Sequence, residues 1–270
     1  MVIAQLRHPS ANDQEATLAI VAVSPHLDDA ALSASVRLRG VGATVLTVFA
    51  GMPAPGLTAS LWDRFTGASS SAERQAERLA EDAAAMSLLS ARGSYLDERE
   101  EQYRRTEPAP DVDRLARRIA EHLAGADEVW LPAAIGRHPD HVLARDAGLR
   151  AAAATGHGDV VLYADFPYVI TYGWPSWVSG QPADPYLNSG IWLAEQLAAG
   201  LAAPVRSAEV IRLSSAQRTA KTGIIAAYRT QASALGLTAA ALARDPAKLD
   251  YELCWRLTVA AVSARSMPES

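Results

Sequence analysis

The sequence predicts an α/β fold: a Rossmann-like three-layer sandwich with a mostly parallel sheet, its site at the carboxyl ends of the strands. Short apolar runs rich in β-branched residues alternate with stretches of helical periodicity, which is the pattern of βα units. Those runs are continuously apolar rather than alternating, as expected of strands covered on both faces. The composition, 49% apolar and 20% charged over 270 residues, supports a sizeable core. In chain order, strands are expected at "LAIVAVS" (18–24), "ATVLTVFA" (43–50), "GSYLD" (93–97), "DEVWLP" (127–132) and "DVVLYAD" (159–165). Helices are expected between them over about 29–40, 71–90, 110–124 and 140–154. After Asp165 the texture changes, and "FPYVITYGWPSWVSGQPADPYLNSG" reads as loops or short strands that form a substrate lid or a packed connection. A further strand, "SAEVIRLS" (207–214), precedes closing helices at about 215–236 and 246–263. The whole of 1–270 is expected to be a single domain, with a Rossmann-like core over 1–165 and a lid or pocket segment, late strand and closing helices over 166–270.

A net charge of −5 gives no reason to expect nucleic acid or an anionic membrane as a partner. Arginine carries nearly all the positive charge, since Lys221 and Lys248 are the only lysines. One cysteine, Cys254, excludes an intrachain disulfide and a cysteine-based zinc cluster; in the expected late helix it reads as a buried structural thiol. The first residues lack the basic and apolar regions of a signal peptide, and no apolar stretch reaches the roughly 18 residues of a membrane span. A cytoplasmic protein is the expectation, with a homo-oligomer left open.

Two polar clusters stand out. "SPHLDDA" follows the first strand, and "GRHPDHVLARDA" follows the fourth, so both lie at carboxyl ends, where open α/β sheets bind ligands. Three of the six histidines, His26, His138 and His141, fall in these clusters. Two adjacent carboxylates at a buried strand end repel one another and call for a neutralising partner. Histidine and aspartate from one loop with histidine from another make a three-ligand site with an open position, the arrangement of a catalytic zinc. Ferrous iron or another divalent metal suits the same donors. Of Asp28 and Asp29, one can coordinate while the other serves as general base. Of His138 and His141, one can bind metal while the other polarises a carbonyl, with Asp140 fixing a ring tautomer. The plainer reading makes the aspartates a helix cap and "HPDH" a loop before a capped helix. His8, His122 and His157 read as surface residues.

The paired motifs "PHLDD" and "HPDH" resemble those of the LmbE-like, or PIG-L, family of zinc-dependent N-deacetylases, whose first motif reads A-H-P-D-D-E and whose second reads H-x-D-H. The likeness extends over most of the chain. Arg78 and Glu81 fall where the family carries an R-x-x-E helix, "YADFPYVI" resembles its pocket segment, and "KTGIIAAYRTQ" (221–231) resembles a late helix. The resemblance implies that His26, Asp29 and His141 bind zinc, that Asp28 is the general base, and that a protonated His138, oriented by Asp140, stabilises the oxyanion. It also implies removal of an acetyl or larger acyl group from an amino sugar or amino-sugar conjugate, with thiol conjugates or natural-product intermediates as the alternative. A metal-binding member with little turnover is a further alternative. A phosphoester or glycosidic hydrolase at the same metal is another, and a receiver-like signalling domain would leave the histidines unexplained.

Arg78, Asp165 and Tyr168 are candidate substrate-binding residues, and Trp174 and Trp177 candidate pocket walls. Arg78 reads equally as a surface salt bridge. Lys221 and Tyr228, seven apart on one helix face, read as a brace against the sheet. The chain departs from the family pattern at Leu27, where the motif has proline, and at Ala30, where it has glutamate.

Overall fold

The computed structural model describes residues 18–104, 107–171, 174, 176–180 and 202–259. The first apolar run forms β1 (Ile20–Ser24), buried at every position. Two short helices follow, α1 (Asp29–Ser33) and α2 (Ser35–Leu38), because the expected single helix breaks at Ala34, with φ −129° and ψ 29°. Next come β2 (Thr44–Thr47), α3 (Leu61–Phe65), α4 (Ser71–Leu89) and β3 (Arg92–Tyr95). Ser60 and Asp63 close a capping box at the start of α3, and α4 stops at Ser90, whose φ of 55° is left-handed. The chain continues through α5 (Glu101–Arg104), α6 (Val112–Ala120), β4 (Glu128–Pro132), α7 (Pro139–Ala154) and β5 (Asp159–Tyr163). Beyond it lie α8 (Tyr168–Thr171), α9 (Ser176–Ser179), β6 (Ala202–Arg212), α10 (Ser215–Ala227), α11 (Arg229–Ala232), α12 (Ala239–Arg244), a 3-10 turn (Pro246–Leu249) and β7 (Tyr251–Val259).

The seven strands form one sheet in the order β3-β2-β1-β4-β5-β7-β6. β1 pairs in parallel with β2 and with β4, β2 with β3, and β4 with β5. Helices cover both sides, α4 packing with α10 and α6 with α7. The strand order reverses between β1 and β4, the switch point at which such sheets bind ligands. Both histidine clusters emerge there.

The last strand corrects the sequence reading. "YELCWRLTV", expected within a helix over 246–263, is β7, antiparallel to both β5 and β6. Its alternation is blurred because both of its faces are covered, six of nine residues being buried. A buried run of this kind cannot be told from a helix by period alone. Cys254 is therefore a buried thiol on a strand, not on a helix. The expected helix over 215–236 is also shorter, ending where Tyr228 leaves helical geometry. Most of the expected lid, and the side chain of Trp177, lie outside the described residues.

Candidate active site

The turn after β1 carries the first cluster. Ser24 Oγ donates to the His26 carbonyl at 2.6 Å and accepts from the Ala30 N–H at 2.9 Å, while the His26 N–H donates to Asp29 Oδ2 at 2.8 Å. Asp28 occupies the N-cap position of α1, but its side chain makes no capping hydrogen bond. The plain capping role is thus not what keeps Asp28 there. After β4 the backbone passes through left-handed conformations at Ala134 (φ 62°) and Arg137 (φ 58°), with Gly136 (φ 90°) between them. A Cβ at Gly136 would collide with the Tyr168 ring. Pro139 at the first turn of α7 and the His138 ring as its cap then launch the helix that carries Asp140 and His141.

These turns bring three rings together. The centroid of His26 lies 5.0 Å from that of His138 and 5.2 Å from that of His141. Asp29 Oδ2 is 3.2 Å from His26 Nδ1 and 3.2 Å from His141 Nε2. His141 Nε2 is fully buried and makes no hydrogen bond among the described residues, so its approach to Asp29 lacks hydrogen-bond geometry. An orphaned imidazole nitrogen facing a carboxylate oxygen is the geometry a cation would complete. The donor atoms of His26, Asp29 and His141 lie within 4.8 Å of one another and fit a divalent ion.

A second grouping, His26 with His138 and Asp140, is equally tight. Its carboxylate is already committed, however. Asp140 Oδ1 takes a hydrogen bond from Arg104 Nη2 at 2.6 Å, and Oδ2 one from the Glu101 N–H at 2.8 Å. His26 Nε2 lies 3.1 Å from the same Oδ2, leaving Nδ1 to face Asp29. His141 repeats the pattern: Nδ1 meets Asp165 Oδ1 at 2.6 Å and leaves Nε2 facing Asp29. Each imidazole is thus backed by its own carboxylate, the support metal-bound histidines usually have.

The electrostatics agree with a cation here. Burial alone would depress the His26 and His141 rings, but the surrounding carboxylates outweigh it. His141 rises to about 9 through Asp29 and Asp165, and His26 rises through Glu100, Asp140 and Asp29. Burial likewise opposes ionisation of Asp29, yet His141 and His26 hold it well below the usual carboxylate range. For Asp140, burial is again outweighed, chiefly by His26, and its carboxyl drops to about 2. Asp28 goes the other way, pushed up to about 6 by burial and by Asp29.

Several expected roles change on contact with the geometry. Asp140 meets His138 through its main-chain N–H, which donates to His138 Nδ1 at 3.2 Å, whereas its carboxylate faces His26. Burial and the neighbouring rings push His138 down to about 4, which favours a neutral ring over the expected protonated one. Asp165 is fully buried behind His141, where Oδ2 also accepts from the Ile135 N–H at 2.9 Å, so it backs a ring instead of lining the pocket. Arg78 is no surface residue: buried on the cavity wall, it pairs with Glu100. Trp174 packs edge-on against Tyr251 at 5.6 Å and is not part of the cavity wall. Tyr168 lines the cavity and packs edge-on against His141 at 5.3 Å. Lys221 is buried against Glu252, with Nζ 2.9 Å from its carboxylate.

The cavity has a volume of about 250 Å³, with Asp28, Asp29, His26, His138, Arg78 and Tyr168 on its wall. Trp62, Glu100, Gln102 and Gln231 also line it. They come from the long β2–β3 connection, the segment after β3 and the late helices, where nothing in the sequence marks them as neighbours of the histidines.

No family model and no curated protein matches the sequence. Solved structures do. A deacetylase in the biosynthesis pathway of teicoplanin, solved as a complex with bog, superposes with a TM-score of 0.68 at 25% identity, over 90% of this chain and 99% of that one. The A40926 pseudoaglycone deacetylase Dbv21 superposes with a TM-score of 0.65 at 29% identity, over 91% and 99%. N,N'-diacetylchitobiose deacetylase from Pyrococcus horikoshii shares the fold, with a TM-score of 0.51 at 14% identity over 89% and 83%. With its paired motifs converging at the switch point of this sheet, the chain is similar to these deacetylases in fold over nearly its whole described length, in keeping with its resemblance to the LmbE-like, or PIG-L, family.

Proposed function

We propose that this protein is a zinc-dependent N-deacetylase that frees the amine of an N-acetylated amino sugar or amino-sugar conjugate. The observation that carries the proposal is the convergence of His26 Nδ1, Asp29 Oδ2 and buried His141 Nε2, with His26 and Asp29 on one cavity wall beside Asp28, a carboxylate committed to no helix cap. The two likenesses of 25% and 29% identity are to proteins named as deacetylases, and they cover nearly their full lengths. A cavity of about 250 Å³ walled by carboxylates, glutamines and Trp62 suits a single polar ring better than a long chain.

His26, Asp29 and His141 would hold the ion, and two imidazoles with one carboxylate are a donor set that catalytic zinc uses. When bound, it supplies Lewis-acid polarisation of the acyl oxygen and of a water. The remaining steps belong to the chain. Asp28, raised toward neutrality, takes a proton from the attacking water and returns it to the departing amine. His138 accepts the Asp140 N–H at Nδ1, so in the neutral ring Nε2 carries the hydrogen and donates to the developing oxyanion. Asp140 and Asp165 hold the two ligand rings with their unprotonated nitrogens toward the ion.

The test is mass spectrometry of the zinc-analysed protein with a panel of N-acetylated amino-sugar conjugates, reading acetyl loss and free amine together. Amine release without release of sugar or phosphate is expected. Release of phosphate or sugar instead, or inertness of zinc-replete protein toward every N-acyl amine, would overturn the proposal.

A further inference from the structure

Behind the turn that carries Asp28 runs a relay of polar groups from three elements. Tyr95 on β3 donates to Asp82 Oδ2 on α4 at 2.7 Å. Tyr228, at the end of α10, places its hydroxyl oxygen 2.8 Å from Asp82 Oδ1 and 3.0 Å from the Leu27 carbonyl oxygen. Asp82 and Tyr228 are buried, at 0% and 2% exposure, so water cannot stand in for a missing partner. The hydrogen count is the point. Tyr228 has one hydroxyl hydrogen and two acceptors within reach. If Asp82 carries a proton on Oδ1, it donates to the Tyr228 oxygen, the Tyr228 hydrogen goes to Leu27, and every group is satisfied. If Asp82 is ionised, its charge competes for the Tyr228 hydrogen and the Leu27 carbonyl loses its donor.

We propose that Asp82 and Tyr228 are positioning residues for the reaction proposed above: protonated Asp82 directs the Tyr228 hydroxyl to the Leu27 carbonyl and fixes the peptide that leads into Asp28, and ionised Asp82 withdraws it. The groups facing Asp82 are Tyr95 from β3, Tyr228 from the end of α10, Asp28 from the turn and Arg78 from its own helix. Burial, aided by Asp28 and opposed by the two tyrosines and Arg78, raises Asp82 to about 6, so both protonation states lie within the range of an assay. This inference rests on Asp28 being the base.

The Asp82→Asn variant is a permanent mimic of the neutral acid, because its amide can donate to Tyr228 and its oxygen can accept from Tyr95. The readout is the ratio of its kcat to that of the native enzyme against pH, in which titrations common to both cancel. The ratio should sit near one at about pH 5 and climb to about tenfold by about pH 8, with KM and bound zinc unchanged. In a Tyr228→Phe background the same substitution should have no effect. A ratio flat across pH, or an equal effect without the Tyr228 hydroxyl, would overturn the proposal. Difference infrared spectroscopy separates this failure from a failure of the deacetylase assignment. A protonated-carboxyl band present in native protein at about pH 5 and missing from Asp82→Asn supports the relay even if no acetyl group is released. Its absence from native protein at that pH overturns the relay whatever the activity.

Discussion

Replacing Asp165 with asparagine should cost the protein its metal while sparing its fold. The carboxylate uses Oδ1 for His141 Nδ1, at 2.6 Å, and Oδ2 for the Ile135 N–H, at 2.9 Å. Asparagine has one acceptor where two are needed. If its oxygen stays with the buried Ile135 N–H, its NH₂ faces His141 Nδ1, and the imidazole answers by becoming the Nε2–H tautomer. That puts a hydrogen on the nitrogen that faces Asp29 and must ligate. Loss of an outer partner to a metal-bound histidine typically lowers affinity about 10–100-fold. Because the tautomer itself is inverted here and both groups are fully buried, the upper end applies, about 100-fold or roughly 2.7 kcal/mol. Competition of native and variant protein against a chromophoric zinc chelator measures it, with circular dichroism of the metal-free forms as the control for folding. A zinc dissociation constant within about threefold of native would refute the argument that Asp165 sets the His141 tautomer.

Three further outcomes follow from the same geometry. Asp28→Asn should lower turnover by about 10²–10⁴ and leave zinc content unchanged in elemental analysis, since Asp28 is read as base and not ligand; an emptied site would reverse that assignment. Chelation should lower the melting temperature of native protein by roughly ten degrees from a state holding free zinc about 1,000-fold above its dissociation constant, about 4 kcal/mol of linkage, and should leave His141→Ala unmoved in the same scan. Asp82 binds its proton more tightly folded than unfolded, about 6 against 3.8, so the stability this contributes is complete below pH 3.8 and is lost as pH rises through about 6. Asp82→Asn should accordingly unfold at higher denaturant than native protein at neutral pH, by about 2–3 kcal/mol, and that margin should close on acidification.

The parallel half of the sheet was legible because its strands are short, continuously apolar and separated by helical periods. β7 was not, because burial on both faces erases alternation and its partners β5 and β6 are set by pairing, not by local propensity. The convergence of the candidate metal-ligating set was legible for a different reason: His26 and His141 each sit just past a strand whose end the topology places at one rim. Which carboxylate backs which ring was beyond the sequence. Asp140 is adjacent to His141 in the chain yet serves His26, 114 residues away, while His141 is served by Asp165, 24 residues on. Adjacent helical residues point about a third of a turn apart, so neighbours in sequence cannot share a bond that residues from another loop can. The same limit hid Gln231 and Trp62, whose side chains bond each other across the cavity wall at 2.9 Å.

The departures at Leu27 and Ala30 can now be weighed by asking what ties the turn down. Both residues are buried, at 1% and 0% exposure, and their backbone groups must find partners inside the protein. The Ala30 N–H donates to Ser24 Oγ, which itself donates to the His26 carbonyl, and the His26 N–H reaches Asp29 Oδ2. The Leu27 carbonyl is met by Tyr228, and the Val23 carbonyl just before the turn by Tyr163 at 2.8 Å. Every one of these bonds is made by a side chain other than those of residues 27 and 30. The turn that aims Asp28 and Asp29 is therefore held by Ser24 from within and by two tyrosines from outside. A chain with this scaffold can lose the family's glutamate and keep the position of its ligands. At residue 30 the charge of the motif's glutamate is replaced by a methyl group packed in the core.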